Sequence, residues 1–189
     1  MIADPSSEPN GKPTYVMDSF KIAIYLDDKY PAPQYPAVFA PGTRGIQHLL
    51  LTQYIPTIGK VLAPIVLQTL PSRLDARSVE YWHRTRGDRL KPLSEEEIAT
   101  NWQVVREKWS VLGASLEFNK GTRDDGPFVL GKQMSFIDFV VAGGFYWLLK
   151  AEGTDSARLK EMLEWQDGRW KALWDSIQEL GTTGSTQLN

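Results

Sequence analysis

The apolar positions along the chain change period once. Residues 14–17, Thr14-Tyr15-Val16-Met17, are short, β-prone and bounded by Pro13, and Met1-Ile2-Ala3 opens the chain with a second apolar run. The turn formers of residues 5–13 between them predict a small hairpin. From Asp18 the period becomes helical. Ile22, Leu26 and Tyr30 fall four apart with Ala23 beside them, which predicts one apolar stripe. Asp18 is a good N-cap, because its carboxylate accepts from the N–H groups that a first turn leaves unpaired. Pro31 cannot continue the helix and pushes Tyr30 out of helical geometry. An isolated hairpin with one helix closes no core of its own, so this small unit is expected to be incomplete as it stands.

Residues 31–42 hold four prolines and read as an extended linker, the best boundary in the chain. Everything after it has a helical period. Thr43 is placed to cap a helix through Leu49, Leu50 and Tyr54, with Pro56 and Pro64 expected to kink it. Asp75 caps a segment of residues 76–90 on which Val79 and Trp82 share a face. Ser94-Glu95-Glu96-Glu97 is a capping box, and Ile98, Trp102, Val105, Trp109, Leu112 and Leu116 follow at spacings of four and three. A second box, Ser135-Phe136-Ile137-Asp138, opens a helix that is apolar nearly all round and therefore belongs in the centre of a bundle. Gly143-Gly144 inside it costs about 1 kcal/mol per residue, and the expected return is close approach of a neighbouring helix. Thr154 or Asp155 is expected to cap the next helix, which carries Leu159, Met162 and Trp165. A last segment carries Trp170, Leu173, Trp174 and Ile177, and a polar tail of residues 181–189 is expected to be disordered.

Composition narrows the chemistry. The 189 residues carry a formal charge of −2, which favours neither nucleic acid nor a membrane surface as partner. There is no cysteine, so disulfides, thiolate ligands and a cysteine nucleophile within the chain are excluded. The only histidines are His48 and His83, too few for a metal site built on several imidazoles. The longest apolar runs fall short of a membrane span and nothing resembles a signal peptide, so a cytoplasmic protein without a metal is the expectation. One local feature points to a ligand. A strand that ends at a Ser-bearing helix N-terminus, Asp18-Ser19, offers free N–H groups and the positive end of a helix dipole to a carboxylate or phosphate. The plain alternative is a cap and nothing more. Over residues 73–90, Arg73, Arg77, Arg84, Arg86 and Arg89 make the segment basic; the alternative to a solvated surface is that some of them, with Tyr81 and Trp82, line a pocket for an anionic aromatic ligand.

The order of elements, with Asp18-Ser19 inside Met17-Asp18-Ser19-Phe20-Lys21-Ile22-Ala23-Ile24-Tyr25-Leu26, Tyr30-Pro31 at the helix exit and Ser135-Phe136-Ile137-Asp138-Phe139, resembles the soluble glutathione transferases. Tyr81-Trp82-His83-Arg84-Thr85-Arg86 further resembles fungal members, etherase-like or from secondary-metabolite clusters. The resemblance implies a mainly α fold: a partial thioredoxin-like ββα unit at residues 1–31, the linker at 32–42, and an all-helical domain at 43–180, with the tail after it. It implies that Ser19 and its N–H take the γ-glutamyl carboxylate of glutathione while Asp18 assists with the α-amino group. Ser135 and Asp138 carry over as folding elements, and Tyr81, Trp82 and Arg86 become the expected acceptor pocket. In the family the first strand and helix supply the Tyr, Ser or Cys that activates the sulfur, and Met1 follows that region directly. No residue here matches the catalytic position.

Two functions follow. The first is a transferase that conjugates glutathione to a hydrophobic electrophile, or cleaves with it, as a homodimer, with this chain inactive alone. The second is a non-catalytic helical module for binding or dimerisation, its exposed strand edge open to a partner.

Overall fold

The computed structural model of the chain describes residues 1–5, 11–86 and 92–186, with side chains up to Gly181 apart from Arg86. β1 (Ile2–Asp4) and β2 (Thr14–Val16) pair antiparallel with Ile2 opposite Val16, the expected hairpin. Most of the connecting turn lies outside the described residues. α1 (Ser19–Lys29) begins on Asp18 and ends at Tyr30, as the capping and proline signals require. Asp4 ties β1 to α1: its carboxylate accepts from the Tyr25 hydroxyl (2.6 Å) and the Tyr30 hydroxyl (3.1 Å) and pairs with Lys29.

The buried face of α1 differs from the expected stripe. Phe20 and Ala23 are buried, whereas Leu26 is 39% exposed. Phe20, at the second helical position, is the largest apolar side chain on the helix, and it decides which face docks. Its ring lies 5.4 Å from Phe39 of the linker and 5.3 Å from Phe136, and these aromatics form a small core of their own. Asp27 locks the same junction, accepting from Val38 N–H (2.9 Å) and Arg44 (2.9 Å).

Helical structure then runs without a break from α2 (Arg44–Leu49) through a π-helical turn (Leu50–Tyr54) into α3 (Ile55–Leu67). The wide turn falls just before Pro56, whose missing N–H removes one i→i−4 bond. Pro64 is carried inside α3. The run Arg44–Leu67 has 24 residues, and its most apolar 18-residue window has a mean hydropathy of 1.4, long and apolar enough to cross a bilayer, which corrects the expectation that no segment reaches that length. Ile58, Leu62 and Val66 on it nevertheless sit in the core of the bundle. α4 (Ala76–Arg86) starts on Asp75, whose carboxylate accepts from Ser78 N–H at 3.0 Å; the expected extension to Leu90, with Arg89, lies outside the described residues.

α5 (Glu95–Leu116) opens with its capping box intact and buries Val105, Trp109, Leu112 and Leu116. α6 (Phe136–Glu152) buries Ile137, Val141, Phe145 and Leu148 in the same core, packing chiefly on the helix that follows and on α3. It is not buried all round: Phe139 is 40% and Tyr146 46% exposed, on a stripe with Gly143 and Lys150. α7 (Ala157–Thr186) is interrupted at Trp165–Gly168, where Gln166, Asp167 and Gly168 all have positive φ. Its cap is Ser156, whose hydroxyl accepts from Leu159 N–H at 3.0 Å, in place of the expected Thr154 or Asp155. The helix runs into the polar stretch after Gly181. The whole is mainly α, a partial thioredoxin-like ββα unit followed by a helical bundle, as the sequence implied.

Candidate functional site

Two helix N-termini carry an Asp–Ser pair, and the structure uses them oppositely. At α6 the N-terminus is closed. Phe136 N–H donates to the Val38 carbonyl (2.8 Å) and Ile137 N–H to the Gln47 side chain (2.9 Å). Asp138 is fully buried, and its carboxylate accepts from Ser135 N–H (2.8 Å), Ser135 O–H (2.8 Å) and Val129 N–H (2.7 Å). Burial pushes its carboxyl above the usual aspartate value, the donors only partly offsetting this. Gln47 is equally buried and donates to the Thr43 hydroxyl at 3.0 Å. Sequence reasoning missed Gln47. The available signal was an amide between Ile46 and His48 at the start of an apolar helical run. Phe136 and Ile137 N–H thus tie α6 to the linker and α2, and Asp138 ties it to Ser135 and the loop before α6, so this terminus is satisfied from within the chain.

At α1 the N-terminus is open. Asp18 Oδ1 accepts from Phe20 N–H and Lys21 N–H, both at 3.0 Å, while Oδ2 has no partner among the described residues. Asp18 stands at φ 78°, ψ 129°, a left-handed conformation that costs a residue with a Cβ about 1–3 kcal/mol. Such strain concentrates at ligand clamps, where the surroundings hold it in place. Ser19 is the first helical residue and is exposed, and its hydroxyl has no partner among the described residues. The first turn holds no acidic residue to neutralise the dipole. One position on, Phe20 is wedged against the linker, α6 and the His48 ring (5.0 Å) of α2, so the open N-terminus sits at the seam between the ββα unit and the bundle. This arrangement suits an anion held by N–H and O–H donors, with an ammonium beside it on Asp18 Oδ2.

The remaining expected site residues lie on α4. Tyr81 is 59% exposed with the Arg84 guanidinium over its ring at 5.7 Å, and Trp82 is half-buried. Arg86 closes α4, and its side chain lies outside the described set. Among the described residues no group of His, Asp or Glu is arranged to hold a metal.

The family model for the glutathione S-transferase C-terminal domain matches residues 45–180. The chain belongs to the glutathione S-transferase family. It is 28% identical over 198 residues to the glutathione S-transferase-like protein ustS of Aspergillus flavus, a match covering 97% of this chain and 67% of that protein. Among solved structures it is similar to the glutathione S-transferase CsGST63524 of Ceriporiopsis subvermispora, crystallised with glutathione (TM-score 0.72, 26% identity, 93% of this chain and 76% of that one). It is also similar to the glutathione transferase GSTFuA3 of Phanerochaete chrysosporium (TM-score 0.73, 27% identity, 93% and 74%). In this glutathione transferase fold, α1 belongs to the partial thioredoxin-like unit and the matched residues run from α2 into α7.

Proposed function

We propose that the chain binds glutathione at the N-terminus of α1. Ser19, through its hydroxyl and N–H, takes the γ-glutamyl carboxylate, and Asp18 Oδ2 takes the α-amino group. The observation that carries this reading is the contrast at the two caps: the donors of α6 are satisfied internally, whereas Ser19 is exposed beside a strained Asp18 with one carboxylate oxygen unused. The fungal relative crystallised with glutathione supports it. The reaction class is transfer: a glutathione thiolate attacks, or displaces a group from, a hydrophobic electrophile, with Tyr81, Trp82 and Arg86 toward the acceptor. A cytoplasmic setting, where glutathione is the abundant thiol, fits this reading. That chemistry needs a donor to the thiolate. No residue here falls at the family's catalytic position, so the chain alone is proposed to bind without turnover.

Retention on immobilised glutathione with release by free glutathione is the expected result. Ser19→Ala removes a hydrogen bond to a charged group, about 1.5–3 kcal/mol, and lowers affinity roughly tenfold or more. Failure of the wild-type chain to bind sinks the proposal. Conjugation of an activated aryl halide by the chain alone sinks the claim of inactivity.

A second reading, a helical module that dimerises, draws on one observation. Ile46 and Leu49 on α2 are 48% and 53% exposed, on a helical run only 22% of whose most apolar window is buried. The two readings are separate claims, tested by oligomeric state and by retention on immobilised glutathione.

A further inference from the structure

The four methionines fall into two groups. Met162 is fully buried in the bundle and Met134 is half-buried before α6, whereas Met1 is 77% and Met17 67% exposed. The hairpin explains the exposed pair. Ile2 stands opposite Val16 and Asp4 opposite Thr14, and Asp4 bonds Tyr25 and Tyr30, so these positions face α1. Alternation turns Ala3 and Tyr15 to the other face, where both are exposed. The same register, carried one residue beyond the ladder, sets Met1 beside Met17 on that open face.

Met17 is also the residue before the Asp18 cap. Its Cα lies at most about 7 Å from that of Ser19, two residues on. The side chain is unbranched and flexible, so an oxygen carried on its sulfur is within reach of the Ser19 N–H. That N–H is one of those a helix leaves unpaired, since Asp18 serves only the next two. The thioether sulfur is a weak acceptor and does not compete for it. A sulfoxide is polar, and its oxygen is a strong acceptor.

We infer that Met17 is an oxidation site that regulates the α1 terminus: a hydroperoxide converts its thioether to the sulfoxide, whose oxygen accepts from Ser19 and competes with a ligand carboxylate. The sulfur loses two electrons and takes the terminal peroxide oxygen. The O–O bond breaks, the proton passes to the other oxygen, and an alcohol leaves. Competition with a ligand rests on the proposed glutathione site, whereas oxidation at Met17 and the new bond at Ser19 do not.

The test treats ¹⁵N-labelled protein with tert-butyl hydroperoxide, removes the peroxide, and follows each methionine by peptide mass spectrometry. Met17 is expected to gain oxygen roughly tenfold or more faster than Met162, because susceptibility follows exposure. In the oxidised wild type, exchange of the Ser19 amide with solvent should slow. Affinity for glutathione should fall about threefold to tenfold, the worth of one hydrogen bond. Met17→Leu is expected to show neither change and Met1→Leu both, and methionine sulfoxide reductase should restore the wild type. Unchanged Ser19 exchange in the oxidised wild type overturns the inference, as does a loss of affinity that persists in Met17→Leu. Slowed exchange in a protein that binds no glutathione before oxidation removes the glutathione assignment and leaves the Met17–Ser19 contact standing.

Discussion

Replacing Asp138 by alanine tests the claim that the α6 cap is a folding device. Three donors lose their acceptor: Val129 N–H at 2.7 Å, Ser135 N–H at 2.8 Å and Ser135 O–H at 2.8 Å. Val129 is 5% exposed and Ser135 0%, so water does not replace the carboxylate without local opening. An orphaned buried donor costs about 1–3 kcal/mol, and the hydroxyl can rotate whereas the two N–H groups cannot. Those two set a cost of about 2–6 kcal/mol, reduced because burial already disfavours the ionised carboxylate. The expected loss is about 3–4 kcal/mol, a large share of the stability of a domain this size. Ser135→Ala removes only one hydroxyl that donates to the carboxylate, and is expected to lose about 1 kcal/mol. Urea unfolding followed by far-ultraviolet dichroism measures both, with a shifted midpoint and unchanged slope. A loss below about 1 kcal/mol for Asp138→Ala, or a larger loss for Ser135→Ala, would refute the ledger of donors behind this reasoning.

Four further outcomes are expected. Gly143→Ala raises stability by about 0.5–1 kcal/mol, because its Cβ enters open space and the helix gains propensity. Gly113→Ala lowers it by about 1–3 kcal/mol, because its Cβ would stand 2.5 Å from Gln166 Cγ, a side chain already held to Trp170 and Ser110; thermal melts decide both signs. The Lys29 ammonium, with the Tyr25 and Tyr30 hydroxyls, holds the Asp4 carboxyl below the usual aspartate range, so its stabilisation is present above that range and lost as pH falls through the depressed value; amide exchange at β1 should rise there, and Asp4→Asn should abolish the dependence. Ile46→Lys with Leu49→Glu should shift a homodimer to monomer by light scattering without changing the unfolding midpoint of the monomer, both side chains being exposed.

The elements with a strong local signal were legible before the structure. The α1 boundaries follow from Asp18 and Pro31, the α5 stripe from its spacing, and both later caps from Ser94 and Ser135 with their acidic partners. What periodicity could not reveal is which face a helix presents when its neighbours come from distant sequence. Ile22 and Leu26 have the better spacing, but Phe20 found aromatic partners 19 and 116 positions away at Phe39 and Phe136, and the helix turned that face inward. The same limit applies to α6, whose composition suggests burial all round and whose Tyr146 stripe is open. Ser156 was overlooked as a cap because Thr154 and Asp155 beside it are equally good capping residues, and local chemistry does not choose among the three. Gln47 escaped because its value lies in a bond to Ile137, 90 residues away.

The two Asp–Ser termini show why one can be a site and the other cannot. In Ser-x-x-Asp the carboxylate stands in the first turn, three residues inside the helix, and reaches back to the N–H of the cap. The acidic group therefore already occupies the positive end of the dipole, and burial against Val38, Gln47 and Val129 completes the seal. In Asp18-Ser19 the order is reversed. The acid is the cap itself, standing at positive φ and serving the N–H groups of Phe20 and Lys21 through one oxygen, and the serine follows it at the first helical position. That leaves the Ser19 donors and a free carboxylate oxygen side by side on an exposed surface, one for an anion and one for a cation. A zwitterionic amino-acid end presents both charges on one carbon and matches that pairing, whereas a phosphate would meet repulsion from Asp18. The proposed selectivity rests on the order of two residues: exchanging them, Asp18→Ser with Ser19→Asp, keeps the composition and the cap type. It should abolish retention on glutathione while α1 still forms, and retained binding in that double variant would remove the physical basis for placing the ligand here.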